Sequence, residues 1–221
     1  MAKAPACGFT LEQAARKLGA LRIAGLDEVG RGPIFGPVVA AAVILPQDCS
    51  LPGLTDSKKL TENKRNQFDV LIRNHAVAFA IAAVDTETID RINIRQASLM
   101  AMRLAVQQLS QPPGNPPSGN LLPDYLLIDG LDRIDWHCPQ QPVVKGDSKS
   151  LSIAAASVLA KVYRDRLLVE LDAVYPGYGL ARHKGYGSPQ HLEALRRLGP
   201  TPMHRKSYAP VAQAALQFPD S

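Results

Sequence analysis

The chain has 221 residues, 46% hydrophobic and 20% charged, with a net charge of +5. This is the size of one large domain or two small ones, and the composition of a folded, core-forming protein, so a disordered chain is excluded. The longest apolar run, Val38 to Leu45, is far short of a bilayer span, the first residues lack a secretory signal's apolar core, and Cys7, Cys49 and Cys138 form neither a disulfide framework nor a zinc pattern, so a cytoplasmic protein without a membrane role is expected.

Thr10-Leu11-Glu12-Gln13 reads as a capping box opening a short helix that stops at Gly19. Residues 21–27 read as a strand running into Leu26-Asp27-Glu28. Gly30-Arg31-Gly32-Pro33 then turns the chain into a second strand, Pro37 to Leu45. That strand is apolar on both faces and belongs at the centre of a covered sheet. A polar loop carries Asp56-Ser57-Lys58-Lys59, and Thr61 caps a helix over about 62–74. Ala76 to Val84 is a third strand, and Thr86 to about Leu109 one long helix. The proline-rich stretch 111–123 reads as a surface loop within one domain. Tyr125 to Asp129 is a short strand, and Val143-Val144 marks another. Ser148 to about Tyr175 is a long helix whose Ala154-Ala155-Ala156 permits close packing on a sheet, and 176–221 is a smaller helical region. The order implies an α/β sheet of about five strands covered by helices.

Asp27 and Glu28 follow an apolar strand directly, and so does Asp129; Asp147 stands just before a helix, where its charge meets the positive end of the helix dipole. Each alone reads as a turn former or helix cap. Adjacent Asp27 and Glu28 repel each other without a cation, and neighbouring strands bring their ends together. Oxygen donors without His or Cys partners suit Mg²⁺ or Mn²⁺ rather than zinc. Two such ions at a phosphodiester activate water and steady the leaving oxygen.

The words around these acids carry a resemblance. Gly25-Leu26-Asp27-Glu28-Val29-Gly30-Arg31-Gly32-Pro33 through Val43, Asp56-Ser57-Lys58-Lys59-Leu60, Ile128-Asp129-Gly130, Lys145-Gly146-Asp147-Ser148, Ile153 through Val162 with Arg164-Asp165, and Lys184-Gly185-Tyr186-Gly187 closely resemble bacterial ribonuclease HII, from about 22 to 208. The resemblance implies a ribonuclease H-like fold, a mixed five-stranded sheet flanked by helices, with 1–175 as catalytic domain and 176–221 as a helical substrate-binding extension. It implies a metal-dependent endoribonuclease that cuts RNA in RNA–DNA hybrids and on the 5′ side of single ribonucleotides in duplex DNA, leaving 3′-hydroxyl and 5′-phosphate ends. Asp27, Glu28, Asp129 and Asp147 carry over as catalytic and metal-binding acids. Asp165 is the rival for the fourth place. It lies ~25 Å further along the helix, and an i, i+4 pair with Lys161 on a solvated face explains it better.

Gly30, Arg31 and Gly32 suit ribose reading: the glycines let backbone come close to a sugar, and Arg31 supplies planar donors. Tyr186 is the second reader by resemblance, its ring stacking on a sugar. Ser57, Lys58 and Lys59 are candidates for backbone phosphates, against an ordinary exposed loop. Arg182, Lys184, Arg196, Arg197, Arg205 and Lys206, with one acid between 176 and 208, form a basic stretch suited to a phosphate backbone. For His183, His191 and His204 a structural role is the better reading. A monomer acting on hybrid and ribonucleotide-containing duplex is expected, and contact with a replication clamp stays open. A junction resolvase would share the acids without needing ribose, and a non-catalytic hybrid binder would not need them intact. Ribonuclease HIII usually carries an extra N-terminal domain, for which the chain has no room before residue 20.

Overall fold

The computed structural model describes residues 7–109 and 122–218. Most of the proline-rich stretch 111–123 lies outside the described residues. Five strands, β1 (Ile23–Val29), β2 (Val38–Ile44), β3 (Ala78–Val84), β4 (Tyr125–Asp129) and β5 (Gln140–Val143), form one mixed sheet in the order β3-β2-β1-β4-β5. β1 pairs antiparallel with β2 and β2 with β3, while β1 to β4 and β4 to β5 are parallel. β2 is buried along its whole length, as its two-sided apolar pattern requires. The fifth strand lies earlier than Val143-Val144: it runs from Gln140 to Val143 beside β4.

Helices cover both faces. Ala24, Leu26, Val38, Ala40 and Ala42 meet Ala97, Ala101, Ala105 and Val106 of α4 (Ile94–Gln108). On the other face Val39, Ala41 and Val43 meet α5 (Leu151–Val174), with Ile72 of α2 (Glu62–His75) in the same cluster. Ala154, Ala155 and Ala156 are fully buried there, in the close packing their small side chains allow. At the foot of α5 the approach is closer still. A Cβ on Gly25 would lie 2.2 Å from the Ser152 carbonyl carbon.

Three local readings change. The first helix, α1 (Thr10–Lys17), has Phe9 as its N-cap with no side-chain cap, so the capping box does not form. Glu12 instead turns inward, accepting bonds from the Ser150 hydroxyl (2.7 Å) and the Ser152 amide (2.9 Å), and so serves the N-terminus of α5. Ser150 caps α5 through Ile153, so that helix begins at Leu151, after a 3₁₀ turn over Gly146–Ser148. The long helix after β3 is two helices, α3 (Thr86–Ile92) and α4. They are broken at Asn93, which sits at φ 67° and caps the Gln96 amide. Asn tolerates that left-handed conformation because its short side chain bonds locally.

The C-terminal region adds α6 (Leu180–His183), α7 (Pro189–Leu198) and α8 (Ala209–Ala215). Its apolar residues pack on the segment joining β1 to β2: Phe35 with Leu168, Tyr178 and Leu180, and Ile34 with Leu195 and Val211. Among the described residues, no helix is long and apolar enough to cross a membrane.

Candidate active site

The sheet brings the acids together. β1 and β4 are parallel neighbours with Leu26 opposite Ile128, so Asp27 and Asp129 follow one another at the same sheet end. Strand alternation puts Asp27 on the α5 side with Gly25, and Glu28 on the α4 side. Asp129 accepts from the Gly146 amide at 2.6 Å, which fixes the turn carrying Asp147. Asp147 is 8% exposed and Asp27 6%. Glu28 pairs with Arg31 at 3.2 Å and, with Asp129 and Gly130, lines a small cleft closed by Arg95 and Asp132.

The electrostatics show how crowded this end is. Burial, then the charges of Glu28 and Asp129, hold the Asp27 carboxyl well above its usual range. Burial also raises Glu28, an effect that Arg31 partly offsets and Asp129 reinforces. Asp147 is pushed up to about 6 by burial, then by Asp56 and Asp129, with Lys58 acting in the opposite direction. Carboxyls that resist ionisation in company are relieved by a cation. Among the described residues, no three His, Cys, Asp or Glu side chains stand around one ion position. The four acids line an open sheet end instead of forming a cage. That suits a hard cation that takes one or two carboxylates and shares its remaining positions with phosphate and water. The larger cavities lie elsewhere, between α2 and α5 and beside α4. A shallow acidic end suits a duplex lying across it better than an engulfed small molecule.

Two further site residues, Asp56 and Ser157, lie within the motif words but are not singled out by the sequence. Asp56 caps the Lys58 amide at 2.9 Å and its carboxyl meets Asp147. Ser157 on α5 stands beside Asp27, favouring its ionised form, and its hydroxyl is 2.9 Å from that of Ser57. Ser57 is therefore buried behind the site, bonded to Ser157, and does not face a phosphate as an exposed loop residue would. Lys58 and Lys59 are exposed, with Lys58 near Asp147. Asp165 pairs with Lys161 at 2.7 Å, away from the strand ends. Both side chains are less than one-fifth exposed, so that face is less solvated than the i, i+4 pattern suggests.

The loop after Glu28 is held from behind by two buried arginines. Arg205 donates to the carbonyls of Gly30 (2.6 Å), Arg31 (3.1 Å) and Gly36 (2.9 Å), and the Tyr208 hydroxyl adds a bond to Arg31 (2.6 Å). Arg164 of α5 donates to Phe35, Pro37 and Lys184 carbonyls at 2.9–3.1 Å. Gly30 leaves room for it, since a Cβ there would stand 2.4 Å from Arg164 Nε at a φ of +96°. Arg205 is fully buried, so it leaves the basic stretch assigned to a phosphate backbone and becomes a brace. A charge count does not separate the two roles; only the unpaired carbonyls across the fold do. Tyr186 is 48% exposed, and a Cβ on Gly32 would stand 3.4 Å from its ring, so the two expected ribose readers are neighbours. His191 and His204 are buried, in keeping with the structural reading.

A family model described as Ribonuclease HII matches residues 24–211. Ribonuclease HII of Geobacter sulfurreducens is 52% identical over 205 residues, covering 93% of this chain and 90% of its own. Among solved structures, ribonuclease H2 of Pyrococcus horikoshii OT3 matches with a TM-score of 0.72 at 21% identity, over 91% of this chain and 100% of that one. A Bst-RNase HIII solved in complex with Mn²⁺ matches with a TM-score of 0.67 at 22% identity, over 92% of this chain and 72% of that one. At these identities the two structures speak for the fold alone.

Proposed function

Because the chain belongs to the ribonuclease HII family, we propose that it cuts RNA in RNA–DNA hybrids and 5′ of single ribonucleotides embedded in duplex DNA, leaving 3′-hydroxyl and 5′-phosphate ends. The observation that carries the reading is the placement of the Gly30-Arg31-Gly32 loop and Tyr186 beside a sheet end bearing Asp27, Glu28, Asp129 and Asp147. This proximity supports reading the loop and Tyr186 as a sugar reader beside acids suited to hard cations.

The four acids would hold Mg²⁺ or Mn²⁺. When bound, two such ions supply the charge that lowers a water's pKa and offsets the developing charge on the leaving oxygen. Everything else falls to the chain. Gly30 and Gly32 let backbone approach the 2′-hydroxyl, the group that separates a ribonucleotide from its DNA neighbours. Arg31 supplies planar donors while its pairing with Glu28 keeps it at the acids. Tyr186 offers its half-exposed ring to the sugar. Lys58 and Lys59 meet backbone phosphates, with Ser57 anchoring their turn through Ser157 to Asp27. Residues 176–221 hold the duplex through their exposed basic side chains. Three free cysteines suit a reducing, cytoplasmic setting.

A duplex with one ribonucleotide in one strand tests the reading. Cleavage is expected on its 5′ side in Mg²⁺ or Mn²⁺, with no cut in the all-DNA duplex. Asp27→Asn and Asp129→Asn should each lose about 10³-fold or more in kcat, as expected for a lost electrostatic element of the reaction. Wild-type rates in either variant would remove that acid from the site, and equal cutting of all-DNA duplex would remove ribose reading.

A further inference from the structure

We infer that His191 and His204 are positioning residues that set the Tyr186 ring against Gly32 through a hydrogen-bond relay of fixed direction. The inference rests on the reading of Tyr186 as a ribose reader and says what holds that reader in place.

The direction follows from donors that cannot reverse. The Thr201 amide lies 3.0 Å from His204 Nδ1 and can only donate, so that nitrogen is an acceptor. A neutral His204 then carries its proton on Nε2. That atom is 3.2 Å from His191 Nε2, which must accept. His191 in turn holds its proton on Nδ1 and donates to the Tyr186 carbonyl at 2.9 Å. A third imidazole obeys the same rule. The Gly185 amide donates to His183 Nδ1 at 3.3 Å, leaving Nε2–H for the Tyr178 carbonyl at 2.8 Å. His183 stacks on His191 with centroids 4.5 Å apart, which limits rotation of that ring.

The relay joins the two sides of the sugar reader. Phe35, from the loop that carries Gly32, meets His204 edge-on at 4.9 Å and bridges to it through the backbone. The Ile34 amide donates to the Gly185 carbonyl at 3.0 Å, next to Tyr186. A shift of either imidazole is therefore felt by the glycine loop and by the tyrosine. Burial favours the neutral forms that the relay needs, holding His191 down at about 4 and His204 at about 3. Packing alone would be served by apolar rings, whereas here every ring nitrogen of the pair is matched in one direction, ending on the backbone of the residue whose side chain faces out.

Two measurements on the full chain test this. ¹⁵N NMR at neutral pH should find the Nδ1–H tautomer at His191 and the Nε2–H tautomer at His204; the opposite tautomer at either overturns the relay. A double-mutant cycle on the single-ribonucleotide duplex then asks what the relay acts through. His191→Leu should lower kcat/KM about 10-fold, the scale of one buried hydrogen bond, but under about 2-fold in a Tyr186→Ala background. His191→Asn, whose amide reaches the carbonyl from near the Nδ1 position, should recover most of the loss. Equal losses in both backgrounds overturn the positioning role, since His191 then acts on the fold and not through Tyr186. A Tyr186→Ala variant that cleaves at the wild-type rate overturns the ribose reading itself, and with it the functional half of the relay, even where the tautomers are as expected.

Discussion

Asp27 stands buried at a strand end with Glu28 and Asp129 beside it, and burial followed by those charges raises its carboxyl. A folded-state pKa above the unfolded one means that the group's contribution to stability is present in acid and lost as pH rises through the raised value. Above that raised value the ionised carboxylate opposes folding. Asp27→Asn keeps an acceptor for the Glu28 amide, now 2.7 Å from Asp27, and removes the charge. In chelator this variant should melt higher than the wild type, by roughly 2–4 °C for each 1 kcal/mol gained, while losing cleavage. Adding Mg²⁺ should narrow the gap by stabilising the wild type. Calorimetry with and without the ion checks both signs. A residue kept at a cost to the fold is expected where chemistry needs it.

At the scale of elements, the position of α5 decides where Asp147 and Ser157 stand, and Gly25 decides how near α5 comes. With a Cβ at 2.2 Å from backbone, Gly25→Ala forces the helix foot away from the sheet. A loss of about 3 kcal/mol is expected, at the upper end for overpacking, together with weakened cleavage from displaced acids; urea unfolding and the duplex assay measure the two. The break at Asn93 is a milder case. Asn93→Ala loses the cap on Gln96 and strains a φ of 67°, and should cost about 1–2 kcal/mol. Asn93→Gly relieves the strain and should cost less. If Ala and Gly are equal in urea unfolding, the left-handed conformation contributes nothing. Helical periodicity runs straight through residues 86–109, and a single-residue reversal leaves it almost unchanged, so the sequence suggests one helix where there are two.

For the whole molecule, the C-terminal region is tied to the loop after β1 by buried arginines and ordered histidines. Arg205→Met would strand the carbonyls of Gly30 and Gly36 and leave that of Arg31 to the Tyr208 hydroxyl alone, at about 1–3 kcal/mol for each buried group left unpaired. It should unfold early in urea and lose ribose discrimination, whereas Arg196→Met, an exposed pair to Glu193, should stay within about 1 kcal/mol. Acid tests the same region. His191 and His204 titrate in the folded chain near 4 and 3, below their ordinary 6.5. Between those values the unfolded chain takes up protons that the folded chain does not, so this pair costs stability as pH falls. The raised carboxyls at the sheet end act in the opposite sense. Asp27→Asn should therefore steepen the loss as pH falls from the raised Asp27 range towards the ordinary carboxylate range, seen as a larger drop in urea midpoint than in the wild type.

The sequence by itself determined the strand cores and most of the helices around them, and it singled out the four acids as candidates. Those depend on short-range pattern: a strand apolar on both faces must be covered, as β2 is, and Asp27-Glu28 after β1 is local. Motif words then carried the chemistry without any geometry. Tertiary structure alone decided which polar residues face inward. Glu12 finds its partner at Ser150, Ser57 at Ser157, and Arg205 at Gly30, across separations of 138, 100 and 175 residues. A buried polar group is set by the partner that satisfies it, and nothing in its sequence neighbours distinguishes it from a solvated one. That is why Arg205 reads as surface charge in the chain and stands as a brace in the fold.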